Sequence, residues 1–262
     1  MFDPFKDFDQ AGYLRNSNGE KDPEIVQTVE HALFRAQLGD ALKYLEKCRT
    51  LNYQSFLDVH RILFSGFYPW AGKDRRETAP DSAISKAGLY FAQPQVIQRA
   101  VEEGFRIAKD KKSLRKRCGD VMGYFAFGHP FLDGNGRTML VIHSELCHRA
   151  GFSISWMNTR KEDYLAALTQ EIQEPNRGTL NDYLQPFITD GNDRAGWGGI
   201  IGEIPGLDGR ETEDIVEETY QDEAVLLKYE AFELRRNNSL KEGGSSAAVS
   251  YTHLRAHETK AN

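Results

Sequence analysis

The stretch from Thr138 to Ala150, closed by Gly151, is apolar on nearly every side of a helical wheel. Such a helix has no face to offer to water, so it belongs at the centre of a domain with other elements wrapped around it. The wrapping elements are legible as helices. Asp22 can cap a helix whose first turn holds Pro23 and Glu24, with Ile25, Val29, Ala32, Leu33 and Ala36 on one face. Further helical patterns cover 41–47, 55–64, 94–109, 113–127, 161–173 and 179–188. Between Arg75 and Phe91 the helical period is lost, and two short runs split by Lys86, Ala87 and Gly88 predict a small hairpin. The expected fold class is therefore all-α, mainly helical, with one small β-hairpin, and the helix from about Thr138 should be the most buried. His60, inside the stretch 55–64, is read as a structural histidine.

The 262-residue chain has a formal charge of −6, which lacks the broad positive field that nucleic-acid binding needs. Its 40% hydrophobic content suffices for a real core. Cys48, Cys118 and Cys147 form no Cys-x-x-Cys pair, which argues against a zinc ribbon and suits a reducing compartment. The first residues carry no basic-then-apolar leader, and no run is long and apolar enough for a membrane span. A cytoplasmic protein is expected, with neither nucleic acid nor membrane as partner; delivery into another cell stays open.

The organisation reads as an irregular segment 1–23, a helical domain 24–190, a linker 191–210, a charged helix 211–241 and a flexible tail 242–262. The linker rests on composition: seven glycines stand between Gly191 and Gly209. The charged helix has too few apolar residues to form a core alone, so it is expected to dock loosely on the domain or on a partner. The string from Ser250 to Thr259 resembles translated sequencing-adaptor sequence, so the end of the tail is read as non-native. His253 and His257 with Glu258 have the wrong order for a metalloprotease motif and no evident third ligand.

The chemistry is concentrated in His129-Pro130-Phe131-Leu132-Asp133-Gly134-Asn135-Gly136-Arg137. Gly134 and Gly136 allow a tight turn with exposed amides, and the helix start that follows adds free N–H groups, together an anion cradle. Arg137 offers a fork suited to phosphate oxygens. Asp133 is a hard oxygen ligand of the kind that holds Mg²⁺ beside phosphates. Asn135 can donate to phosphate oxygens or to its own loop. Phe131 anchors the loop in the core, and His129 can accept a proton from an attacking hydroxyl. At about 5% usage each, seven specified residues coincide by chance roughly once in 10⁹ windows.

The segment resembles the Fic-domain signature, His-x-Phe-x-Asp/Glu-Gly-Asn-Gly-Arg-x-x-Arg, through Arg137 and departs at the last position, which is Leu140. Trp70-Ala71-Gly72-Lys73 followed by Arg75 is similar to that family's entry to its hairpin flap, here about 76–91. The resemblance covers about 24–188. It implies a protein adenylyltransferase: His129 deprotonates a Tyr, Thr or Ser hydroxyl of a target protein, which attacks the α-phosphorus of ATP. It places Mg²⁺ on Asp133, the phosphates on Gly134, Asn135 and Gly136, and the β-phosphate on Arg137, with the target segment along the flap edge. Alternatives within that resemblance are another nucleotide or phospho-donor, or a nucleotide-binding module without turnover; the intact His129 argues against the last. An antitoxin or regulatory partner also fits the family. The family's last arginine also meets a self-inhibitory glutamate. No clear inhibitory motif is present; Thr219 to Glu223 has the spacing, but Ala224 follows.

Overall fold

The computed structural model describes residues 2–86, 88–191 and 215–242, together with Arg194, Trp197 and Ile201. Most of the expected glycine linker, and the tail with His253 and His257, lie outside the described residues. Among the described residues ten α-helices run in order: α1 Phe8–Ala11, α2 Pro23–Lys47, α3 Tyr53–Phe64, α4 Arg75–Thr78, α5 Ile97–Ala108, α6 Lys111–Gly128, α7 Asn135–Arg149, α8 Lys161–Gln173, α9 Thr179–Leu184 and α10 Glu223–Glu242. None of the described helices is long and apolar enough to cross a membrane. The segment before Pro23 does more than lead in: Phe2 and Leu14 are buried, and Trp70 Nε1 donates to the Leu14 carbonyl at 2.7 Å.

Asp22 caps α2 by accepting from the Glu24 amide at 2.9 Å. The helix then runs unbroken to Lys47, through Gly39, because its buried residues Phe34, Leu38, Ala41 and Leu45 continue one face into the core. α7 lies in the middle with ten of its fifteen residues buried, but α6 matches it with twelve of eighteen, so the two share the centre. The reason is glycine in α6. A Cβ on Gly119 would stand 2.5 Å from the Asn181 amide nitrogen, and one on Gly123 would stand 2.5 Å from Glu171 Cγ. The bare backbone lets α8 and α9 approach α6 directly, while α5 and α7 pack on it elsewhere.

The hairpin is where the sequence predicts it, β1 Ser82–Lys86 against β2 Leu89–Tyr90. Two differences follow. The residues expected to open the charged C-terminal helix at 211 instead include a strand, β5 Ile215–Thr219, antiparallel to β1. The helix proper is α10, beginning at Glu223 after Asp222 accepts from the Ala224 amide at 2.8 Å. A helical reading lost here because the exposed edge of β1 offers backbone partners that a sequence window cannot see. Second, β3 Phe152–Ile154 pairs with β4 Ile188–Asp190, so the helix from Thr179 stops at Leu184.

Candidate functional site

His129 ends α6 in the left-handed conformation, φ 40° and ψ 60°. A side chain there costs of order 1–3 kcal/mol and persists only where the surroundings fix it. Three contacts do so. Arg75 Nε donates to the His129 carbonyl at 2.7 Å, the Arg75 amide donates to the Pro130 carbonyl at 2.7 Å, and the imidazole stacks on Phe91 with centroids 3.9 Å apart. Arg75 is completely buried, and its second fork arm reaches the Ala92 carbonyl at 2.6 Å, tying flap entry, flap exit and the His129 loop together. Burial pushes the Arg75 guanidinium down to about 10. Burial first, then the Arg75 and Lys86 charges, hold His129 well below the ordinary imidazole range. The ring is thus neutral, and its Nε2 is buried without a hydrogen-bond partner among the described residues.

The loop beyond turns at Gly134, φ 74°, where a Cβ would meet Phe64 Cε2 at 2.6 Å. The Gly134 amide donates to Asp133 Oδ1 at 2.5 Å, and helix α7 starts at Asn135 rather than near Thr138. Asn135, Gly136 and Arg137 are therefore its first turn, whose N–H groups have no acceptor inside the helix. Nothing stands within 4 Å of the position a Gly136 Cβ would take, so the cradle is open there. The Asn135 side chain faces its own loop: Oδ1 accepts from the Phe131 amide and Nδ2 donates to the Phe131 carbonyl, both at 2.8 Å. It shapes the cradle, while its backbone remains available to an anion.

Arg137 is buried, 2.7 Å from Glu30 of α2 and 3.4 Å from Asp133. Its guanidinium also lies 5.0 Å from the Phe64 ring centroid. Burial alone would lower its pKa, yet Glu30 and Asp133 keep it above the usual guanidinium range. Its Nη1 is buried and makes no hydrogen bond among the described residues. Glu30 was not singled out by sequence; as one acidic residue in a charged helix it carries no signal until α2 meets α7.

His60 is fully buried and both of its ring nitrogens are engaged. The Gly72 amide donates to its Nδ1 at 2.9 Å, which fixes the proton on Nε2 facing the Asp133 carbonyl at 3.1 Å. Burial pushes it down to about 3, and its ring stacks 3.6 Å from Phe131. It braces the Trp70-Ala71-Gly72 turn against the loop. Leu140 sits buried in the core. Glu223 is exposed at the start of α10.

A mostly helical domain presenting this loop beneath a hairpin defines the class, and the comparisons agree. Residues 50–147 match the family model described as Fic/DOC family. It is 29% identical over 175 residues to the protein adenylyltransferase VbhT of Bartonella schoenbuchensis, covering 63% of this chain and 35% of that protein. The chain thus spans about a third of that relative's length. Among solved structures, the N-terminal Fic domain of a VirB-translocated Bep effector from Bartonella quintana with bound ADP superimposes with TM-score 0.58 at 18% identity, over 72% of this chain and 94% of that one. BepC from Bartonella tribocorum with bound AMPPNP gives TM-score 0.54 at 19% identity, over 68% and 92%.

Proposed function

We propose that this chain transfers AMP from ATP to a Tyr, Thr or Ser hydroxyl of a target protein. The observation that carries the reading is His129 Nε2, neutral, buried and without a hydrogen-bond partner among the described residues, six residues before the helix N-terminus at Asn135. An acceptor hydroxyl satisfies that nitrogen, and a nucleotide phosphate satisfies the amides. Supporting it are a relative named as an adenylyltransferase and fold neighbours holding AMPPNP and ADP.

In this reading the first-turn amides at 135–137 bind the phosphates. Arg137 Nη1, buried without a hydrogen-bond partner among the described residues, is the arm a phosphate oxygen would satisfy; Glu30 holds the rest of the fork. His129 Nε2 takes the proton of the acceptor hydroxyl, whose oxygen attacks the α-phosphorus. The bond to the bridging oxygen breaks and pyrophosphate leaves. The depressed pKa of His129 keeps it in the base form well below neutral pH. No cluster of three metal-binding side chains exists among the described residues. A single carboxylate beside a phosphate cradle nonetheless fits Mg²⁺, which takes one or two carboxylates plus phosphate oxygens and water. Asp133, about a third exposed, would hold it, and the ion would neutralise charge on the phosphates.

The test is incubation of the full chain with α-labelled ATP and a cell lysate, followed by mass analysis of labelled proteins. Label should appear as AMP on hydroxyl side chains, and His129→Ala should lose it while still binding ATP. Retention of more than a few per cent of the activity by that variant would remove His129 from the role of base.

A further inference from the structure

The flap edge is already occupied. β1 pairs with β2 over only two positions, Ser85 with Tyr90 and Lys86 with Leu89. Its opposite edge pairs along its whole length with the chain's own strand β5, from Ser82 opposite Thr219 to Lys86 opposite Ile215. An unpaired strand edge is a template for another extended segment, and β5 takes that template end to end.

Besides its pairing with β1, β5 is held by contacts to the flap and by one long ion pair to α10, Lys228 to Glu218 at 4.0 Å. The Tyr220 amide reaches the Asp81 carbonyl at 3.5 Å, and Tyr90 donates to Glu218 Oε2 at 3.0 Å. In α10, the Tyr229 hydroxyl donates to Glu233 at 2.9 Å and accepts from the Gln93 amide at 3.3 Å. The Arg236 guanidinium lies over Phe127, 3.6 Å from its centroid, and donates to the Ile172 carbonyl; Ser239 donates to the Pro175 carbonyl at 2.8 Å. The helix is therefore seated against the domain by buried side chains, while the strand is seated by backbone pairing, the Tyr90–Glu218 contact and the long Lys228–Glu218 ion pair. Of the two, only the strand lies on the flap edge, and a competing extended backbone can replace its pairing bond for bond.

We infer that residues 215–219 are a cis-acting strap on the flap, which an acceptor polypeptide displaces while α10 stays docked. The inference rests on the reading that the flap edge receives the acceptor. Tethering gives the strap an effective concentration in the millimolar range, so a free acceptor competes at a disadvantage.

The experiment uses the full chain and the double variant Val216→Pro/Glu217→Pro. Two consecutive prolines remove the N–H donors from either register of the strand and leave α10 untouched. The first readout needs no transfer: binding of a fluorescein-labelled peptide copying residues 215–221. The variant should bind it and the unmodified chain should bind at least tenfold more weakly. Hydrogen exchange should show faster exchange in 82–86 and unchanged protection in 225–240. The second readout is incorporation of α-labelled ATP into lysate protein, which should rise about tenfold or more in the variant. Failure of the peptide to bind a variant whose helices remain protected would overturn the docking edge. Peptide binding without any rise in labelling would overturn the strap as a gate. No label from either protein would count against AMP transfer alone, and the peptide measurement would still decide the edge. As a converse, an oxidised Ser82→Cys/Thr219→Cys pair should abolish peptide exchange and reductant should restore it.

Discussion

Glu30→Gln removes one charge from an ion pair in which Glu30 is 1% and Arg137 7% exposed, 2.7 Å apart. Stripping one partner from a buried pair costs about 3–5 kcal/mol, because the other charge is left without compensation. The Gln amide oxygen still accepts from the guanidinium, worth about 1 kcal/mol. Asp133 also remains 3.4 Å away. The expected loss is therefore about 2–3 kcal/mol. For a domain of this size that lowers Tm by about 5–10 °C, measured by calorimetry or by the urea midpoint. Glu30→Gln/Arg137→Gln should recover part of the loss, with a coupling of about 1–3 kcal/mol between the two sites. A shift under about 1 °C would refute the reasoning. It would mean that in solution Arg137 is not anchored to α2 and is free to meet a phosphate with its whole fork.

Gly134→Ala places a Cβ 2.6 Å from Phe64 Cε2 at φ 74°; left-handed strain and overpacking together should cost about 2–4 kcal/mol. An unchanged urea midpoint would show that the loop does not hold this turn. Arg75→Lys keeps the charge but not the fork to the His129 and Ala92 carbonyls; transfer should fall at least about tenfold while ATP affinity stays within about twofold, because only the base is displaced. A matching loss of both would make Arg75 a general structural element. His143, hydrogen-bonded to the Cys118 carbonyl at 2.8 Å, is pushed by burial down to about 4. The unfolded chain takes up that proton first as pH falls below about 6.5. The contribution of neutral His143 is therefore complete above that pH and lost towards pH 4, by about 1.4 kcal/mol per unit. His143→Gln should flatten the dependence of the urea midpoint between pH 7 and 5, and an identical slope would show that His143 does not titrate there.

Much of the domain was legible because its information is local. Asp22 with Pro23 announces a helix start by chemistry within three residues. The Gly134 and Gly136 spacing announces a turn, and the nine residues from His129 to Arg137 carry an imidazole, a carboxylate and a helix start in one stretch of chain. The unbroken period from 55 to 64 needs no partner to be read. Tertiary structure decided what depends on residues far apart meeting. Glu30 acquires meaning only when α2 brings it to Arg137, more than a hundred residues on. Arg75 acquires its role only when its fork meets the carbonyls of His129 and Ala92. Asn135, able by sequence to face a phosphate or its loop, is turned to the loop by the Phe131 backbone. Residues 215–219 carry helical neighbours and a charged composition, yet lie in a strand, because backbone hydrogen bonds go wherever an open edge offers them and β1, 130 residues earlier, offers one.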